Sequence, residues 1–148
     1  MATPEPPLIG ALLRIPLDRV YVQILDALHE HGFTDIGPAH FQVLRWPGPN
    51  GQRPVELAQQ AGMTRQAMNY LLGQLEELGY VERRVDSDDV RSRRVYMTPR
   101  GVSTIGVIRD AVTKLERDWE AQLGPERWRQ LKELLAGLDE ASADAPAS

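Results

Sequence analysis

Apolar residues recur at helical spacing along most of the chain, and the breaks in that rhythm mark its turns. Leu17, Val20, Tyr21, Ile24, Leu25 and Leu28 form a first stripe. Pro16 stands at its edge and should either kink this helix or mark its true start. Arg53 to Ala61 reads as a short helix, with Pro54 at the first helical position, apolar Leu57, Ala58 and Ala61, and Gly62 closing it. A second helix opens at Thr64, a good N-cap, and runs to Leu78, with Gly79 as its stop. Met68, Leu71, Leu72, Leu75 and Leu78 fall on one face of it and must meet a core. Tyr80–Val85 and Arg93–Thr98 then read as two strands joined by a charged segment. Beyond Pro99, Ile105, Ile108, Val112, Leu115 and Trp119 repeat at alternating spacings of three and four. After Gly124-Pro125, the rhythm resumes in Trp128, Leu131, Leu135 and Leu138.

The predicted fold is mainly α with a small β-hairpin. Two short helices joined by Gly62-Met63-Thr64 make a helix-turn-helix, the hairpin makes its wing, and long helices flank both. The expected organisation is a disordered N-terminus at 1–7, an N-terminal helix at 8–33 used for dimerisation, and a winged helix-turn-helix at 38–100. Dimerisation helices at 101–140 and a small, polar, disordered tail at 141–148 complete it.

Chemistry enters on the face of the second helix opposite the apolar stripe. Winding at about 100° per residue places Gln66, Asn69, Tyr70, Gly73 and Glu77 there. An ordinary solvated face would more often carry Lys and Glu pairs. Glutamine and asparagine instead offer a donor and an acceptor in one plane, which matches an adenine edge, and Arg65 at the helix start reaches a guanine or a phosphate. The hairpin adds Arg83, Arg84, Arg91, Arg93 and Arg94 in a segment without lysine, although the chain's net charge is −4. A solvated tip is the plainer reading, but arginine suits phosphates and narrow minor grooves. Asp89 beside Arg91 is expected to hold that guanidinium extended. The residues assigned to double-stranded DNA are therefore Thr64, Arg65, Gln66, Asn69 and Tyr70 on the helix, and Arg84, Asp89, Arg91 and Arg93 on the wing.

The run Leu75-Glu76-Glu77-Leu78-Gly79-Tyr80-Val81-Glu82-Arg83, then Asp86, Asp89 and Arg91, then Val95-Tyr96-Met97-Thr98-Pro99-Arg100-Gly101 resembles the MarR family of bacterial transcriptional regulators. The resemblance rests on a glycine-aromatic-hydrophobic strand start, an Asp-x-Arg wing tip and a Thr-x-x-Gly exit at fixed spacing. It extends from about Leu12 to Leu138, and Met97 departs from the usual leucine. It implies a ligand-responsive repressor that binds a pseudo-palindromic operator as a homodimer, with N- and C-terminal helices at the dimer apex. It also implies a small aromatic or phenolic effector where the helical region meets the winged domain, near Tyr21, His40, Phe41, Leu44, Arg45 and Trp46. The plainer reading is that Phe41, Leu44 and Trp46 are core.

Composition narrows the field further. With 148 residues, 42% of them hydrophobic, the chain can bury one core but hardly two. A helix of about 23 residues after Pro99 would be ~35 Å long, more than a small winged domain can cover, so its surplus apolar face wants a second copy of the chain. No cysteine is present, which excludes disulfides and thiol redox sensing by this chain. No apolar run is long enough to span a membrane, and Met1 to Pro7 lacks the basic start of a signal peptide, so a cytoplasmic location is expected. No cofactor or metal is expected: His29, His31 and His40 have only Glu30 as a nearby acidic partner at a helical offset. No Gly-x-Ser-x-Gly elbow, phosphate-cradling glycine loop or His-Glu-x-x-His is present, which speaks against an enzyme. The remaining alternative is a winged-helix module whose arginines bind an acidic protein partner without specific DNA binding.

Overall fold

The computed structural model describes residues 5–44, 48 and 50–143. The expected effector residues Arg45 and Trp46 lie outside them, as do residues 1–4 and 144–148 of the expected disordered ends. In chain order the elements are α1 (Ile9–Glu30), a 3-10 turn (Pro38–His40) leading into α2 (Phe41–Leu44), α3 (Pro54–Ala61), α4 (Arg65–Glu77), β1 (Val81–Val85), β2 (Arg93–Met97), α5 (Pro99–Leu123) and α6 (Pro125–Ala143). The chain divides into two compact units, Met1–Ala111 and Val112–Ser148.

The core of the first unit is built from the faces that periodicity marks. Ile24 and Leu28 of α1, Phe41, Val43 and Leu44 of α2, Leu57 and Ala58 of α3, and Met68, Leu71, Leu72 and Leu75 of α4 are buried. Only the second half of α1 takes part. Leu8, Ile9, Leu12, Leu13, Ile15 and Leu17 are exposed, Leu8 to 82%. Pro16 neither starts nor ends the helix, which begins at Ile9 and runs through it. Its ring removes one hydrogen bond to the Leu12 carbonyl, at a place where α1 is exposed and water can take over that acceptor.

The wing is an antiparallel pair in the register Val81↔Met97, Arg83↔Val95 and Val85↔Arg93. Gln52 adds a short third rung on the other side of β2, its N–H donating to the Val95 carbonyl at 3.1 Å and its carbonyl accepting from Val95 N–H at 2.8 Å. Val95 is fully buried between the two rungs. At the wing base, Tyr80 is buried and its hydroxyl donates to Asp35, while Arg100 donates to Asp35 at 3.1 Å and to the Leu78 carbonyl at 2.6 Å, its guanidinium lying 4.4 Å from the Tyr80 ring centroid. Burial, and then the Asp35 carboxylate, push the Tyr80 hydroxyl up to about 12.

The second unit comprises the end of α5 and α6, joined at Gly124. Trp119 and Trp128 meet with ring centroids 6.0 Å apart, and Lys132 pairs with Glu116 at 3.3 Å. Among the described residues of this unit none is fully buried. The expected stripe from Ile105 to Trp119 is half-buried throughout, and Leu131, Leu134 and Leu135 are exposed. α6 continues to Ala143, three residues into the stretch expected to be a disordered tail.

Candidate nucleic-acid interface

The helix-turn-helix is held by local devices. Pro54 opens α3, and Glu56 reaches back to accept from the Arg53 N–H at 3.0 Å. Gly62 ends α3 at φ 64°, a left-handed turn that a side chain would strain, so that Met63 N–H returns to the Ala58 carbonyl. Thr64 caps α4, its Oγ1 accepting from Ala67 N–H at 3.1 Å. These turns aim α4 so that Gln66, Asn69, Tyr70 and Glu77 all point to solvent, Tyr70 with 68% of its surface exposed. Arg65 and Thr64 are exposed at the helix start, and a Cβ built at Gly73 would meet nothing within 4 Å. A polymer can therefore approach this face closely.

The wing arginines divide by what they touch. Arg94 turns inward, donating to the Gly51 carbonyl at 3.1 Å and pairing with Asp86 at 3.2 Å. Arg83 leans on α4, donating to the Asn69 carbonyl oxygen at 3.3 Å and approaching Asn69 Oδ1 at 3.5 Å and Glu76 at 3.5 Å. The acceptor end of the Asn69 amide thus faces Arg83, which leaves its NH₂ group as the freer reading end. Arg84 pairs with Glu82 and lies 4.5 Å from the Tyr96 ring centroid, so its charge is partly shared. Arg65, Arg91 and Arg93 are exposed and have no ion-pair partner among the described residues.

Asp89 does not hold the Arg91 guanidinium, contrary to the sequence expectation. Its Oδ1 accepts from the Arg91 backbone N–H at 3.0 Å, and its carbonyl accepts from Ser92 N–H at 3.0 Å. An aspartate two residues before an N–H closes a local turn at once, whereas ordering a long exposed guanidinium costs side-chain entropy. Asp89 therefore shapes the backbone of the tip, and the Arg91 side chain stands exposed beside it.

The organising carboxylate is Asp86, which sequence reasoning left unassigned. It is fully buried, accepts from Arg53 Nε at 2.8 Å and from Asp88 N–H at 3.0 Å, and pairs with Arg94. Its own N–H donates to the Ser92 carbonyl at 3.0 Å. One carboxylate thus joins the start of α3, strand β2 and the wing loop. The Asp88 N–H, then the Arg53 and Arg94 guanidiniums, hold its acid form down to about 2, against burial, which alone would raise it. The sequence marked Asp86 as an acidic residue at the end of a strand and as part of the family resemblance, with no indication of its partners.

Of the described effector candidates, Phe41 and Leu44 are buried core residues and the half-buried Tyr21 ring sits 5.9 Å from that of Phe41. His40 is half-buried. Its Nδ1 accepts from Gly37 N–H at 3.0 Å and its Nε2 lies 3.1 Å from Gln74 Oε1, while Gln74 donates to the Tyr70 hydroxyl at 3.2 Å. The structure thus connects His40 to the outer face of α4, a link between two groups of residues that the sequence presented as separate.

Residues 34–92, which span α2 to the wing tip, match the model of the MarR family. Solved structures extend the likeness. The transcriptional repressor CouR bound to a 23-mer DNA duplex is 27% identical over 89% of this chain and 92% of its own, with a TM-score of 0.71. The MarR family protein Rv2887 of Mycobacterium tuberculosis, in complex with salicylic acid, is 28% identical over 92% and 99%, with a TM-score of 0.63. Wild-type apo MarR from E. coli shares the fold at 24% identity over 90% and 98%, with a TM-score of 0.72. With the family match centred on the helix-turn-helix and wing, and the structural likeness carried across nearly the whole chain, the protein is similar to the MarR family of transcriptional regulators.

Proposed function

We propose that this chain is a DNA-binding, ligand-responsive repressor that acts as a homodimer on a pseudo-palindromic operator. The observation that carries the DNA reading is the exposed amide and hydroxyl face of α4 beside three arginines without ion-pair partners, one at the helix start and two on the wing. α4 would enter the major groove, where Gln66, Asn69 and Tyr70 meet base edges and Thr64 and Arg65 meet the flanking backbone. Arg91 and Arg93, with a weaker share from Arg84, would follow the phosphates or the adjoining minor groove, on a tip shaped by Asp89. The DNA-bound state of CouR supports this reading.

Dimerisation is supported by the apolar surface left uncovered at both ends of the chain, in the first half of α1 and on α6. The expected result of a solution mass measurement at micromolar concentration is twice the chain mass; a clean monomer would remove the two-half-site operator. The salicylic acid bound to Rv2887 supports an aromatic carboxylate as effector. Among the described candidates His40 would offer a polar contact only by giving up its bond to Gln74, with Tyr21, Phe41 and Leu44 as neighbours. Adding salicylate should then release DNA from this protein, and unchanged binding at saturating salicylate would set that effector class aside.

The DNA reading is tested by the salt dependence of binding to a duplex that the protein enriches from a random-sequence pool. Arg91→Ala should weaken binding and lower the magnitude of the salt slope by about 1, because one fewer counterion is released. Folding should change by no more than about ±0.5 kcal/mol, since an exposed tip side chain buries little surface. If nothing is enriched and binding to random DNA is absent, the arginines serve an acidic protein partner instead.

A further inference from the structure

The hydrogen bonds from Gly37 to Tyr70 have a direction. The Gly37 N–H can only donate, so Nδ1 of His40 must carry a lone pair. In the neutral ring the proton then sits on Nε2, which donates to Gln74 Oε1. That leaves the Gln74 NH₂ group to donate to Tyr70 Oη. With its oxygen engaged as an acceptor, the Tyr70 hydroxyl has its own hydrogen left over. No acceptor for that hydrogen is found among the described residues, and Tyr70 stands exposed on α4 one turn after Gln66.

We infer that His40 is a positioning residue for DNA recognition, setting the Tyr70 hydroxyl through Gln74 as an outward donor that selects a hydrogen-bond acceptor on the DNA. The inference rests on the DNA-binding reading above and goes beyond it, since it fixes what Tyr70 can read. A donor matches purine N7, guanine O6, thymine O4 or a phosphate oxygen, and it rejects the exocyclic amines of adenine and cytosine. The three side chains come from the 3-10 turn and from successive turns of α4, with His40 and Gln74 34 positions apart. Tyr70 and Gln74 share a face by their i, i+4 spacing, and Gln74 is half-buried at the edge where that face meets the turn.

Gln74→Glu gives the sharpest test because it keeps the volume and the acceptor for His40 but replaces the NH₂ donor by a second acceptor. The Tyr70 hydrogen should then turn inward to the carboxylate. The probe is the duplex enriched by the wild-type chain from a random-sequence pool. On it, Gln74→Glu and His40→Ala should each weaken binding, by about tenfold for the glutamate. In the Tyr70→Phe background, where no hydroxyl remains to be set, His40→Ala should cost nothing further and Gln74→Glu only its added charge. Equal losses in both backgrounds would mean that these side chains merely support the fold, and the inference would be overturned. If His40→Ala fails to fold, Gln74→Glu carries the comparison alone. Duplexes with 7-deazapurines or methylphosphonates then locate the acceptor. One of the two should abolish the difference between the wild-type and Tyr70→Phe proteins if the acceptor is purine N7 or a phosphate, and thymine O4 or guanine O6 is tested in the same way with 5-methyl-2-pyrimidinone in place of thymine or 2-aminopurine in place of guanine. If none of these removes the difference, no acceptor is met and the inference falls. Failure of the pool to yield any duplex would instead overturn the DNA-binding reading itself, and this inference with it.

Discussion

Asp86→Asn should leave the helices of the first unit in place yet weaken DNA binding by roughly tenfold to a hundredfold, the scale of losing one or two well-placed contacts. The amide keeps the shape of the carboxylate and can still accept from Asp88 N–H. Its NH₂ group, however, then takes the place of the oxygen that meets both Arg53 and Arg94, a donor against donors, and both ion pairs lose their negative partner. The wing loop would no longer be tied to the start of α3, and Arg91 and Arg93 would reach DNA from a distribution of wing positions. Faster amide exchange at residues 87–92, together with the binding loss, is the expected signature. Binding unchanged on the same duplex would show that the wing needs no such tie.

The same carboxylate makes a pH prediction whose sign follows from its depressed titration. Asp86 titrates at about 2 in the folded chain against an ordinary value of 3.8. Its contribution to stability is therefore complete above the ordinary value and is lost as pH falls from there through about 2. The thermal midpoint of the wild-type protein should drop across that window more steeply than that of Asp86→Asn. Parallel curves would mean that the ion pairs contribute nothing net.

Gly101→Ala is expected to cost about 3 kcal/mol or more and to lower the thermal midpoint by roughly 10 °C. Gly101 is buried where α5 starts, its N–H donating to Thr98 Oγ1 at 3.1 Å. A Cβ there would overlap the carbonyl oxygen of Tyr80 and lie 3.1 Å from Met97 Cε. The methionine end can move. The carbonyl cannot move as easily, because it accepts from Thr98 N–H and belongs to a residue whose ring is fixed by Asp35 and Arg100. Gly73→Ala is the matching control, since a Cβ there meets nothing and alanine is the better helix former by about 0.5–1 kcal/mol. One glycine should therefore stabilise the chain on replacement and the other break it; equal effects at both would refute the close approach at Gly101.

What the sequence determined by itself is what neighbouring residues decide among themselves. The buried face of α4, the Thr64 cap, the left-handed Gly62 and the strands of the hairpin all follow from periods and turn preferences that act over a few residues. The Thr-x-x-Gly exit was visible as a motif, but the reason for its glycine, the Tyr80 carbonyl pressed against it, was not. Pro16 does not mark the start of its helix, because a proline inside a helix costs one hydrogen bond that water can replace where α1 is exposed. Asp89 misled because adjacency favours a charge pair on paper, whereas a backbone N–H two residues away is the easier partner to order.

Which distant side chains meet follows from packing and not from the chain's local rhythm. Arg53 and Asp86 are 33 residues apart, His40 and Gln74 are 34 apart, and Asp35 and Arg100 are 65 apart. A sequence shows that such charges and donors exist. Their pairing depends on how α2, α3, α4 and the wing pack around Met68, Leu72 and Val95. Once that core closes, a polar group beside it must find a partner or lose its hydration for nothing, and the geometry of the core selects the partner. For that reason the apolar pattern was legible from the chain alone, while Asp86 and the His40–Gln74–Tyr70 connection had to be seen in three dimensions.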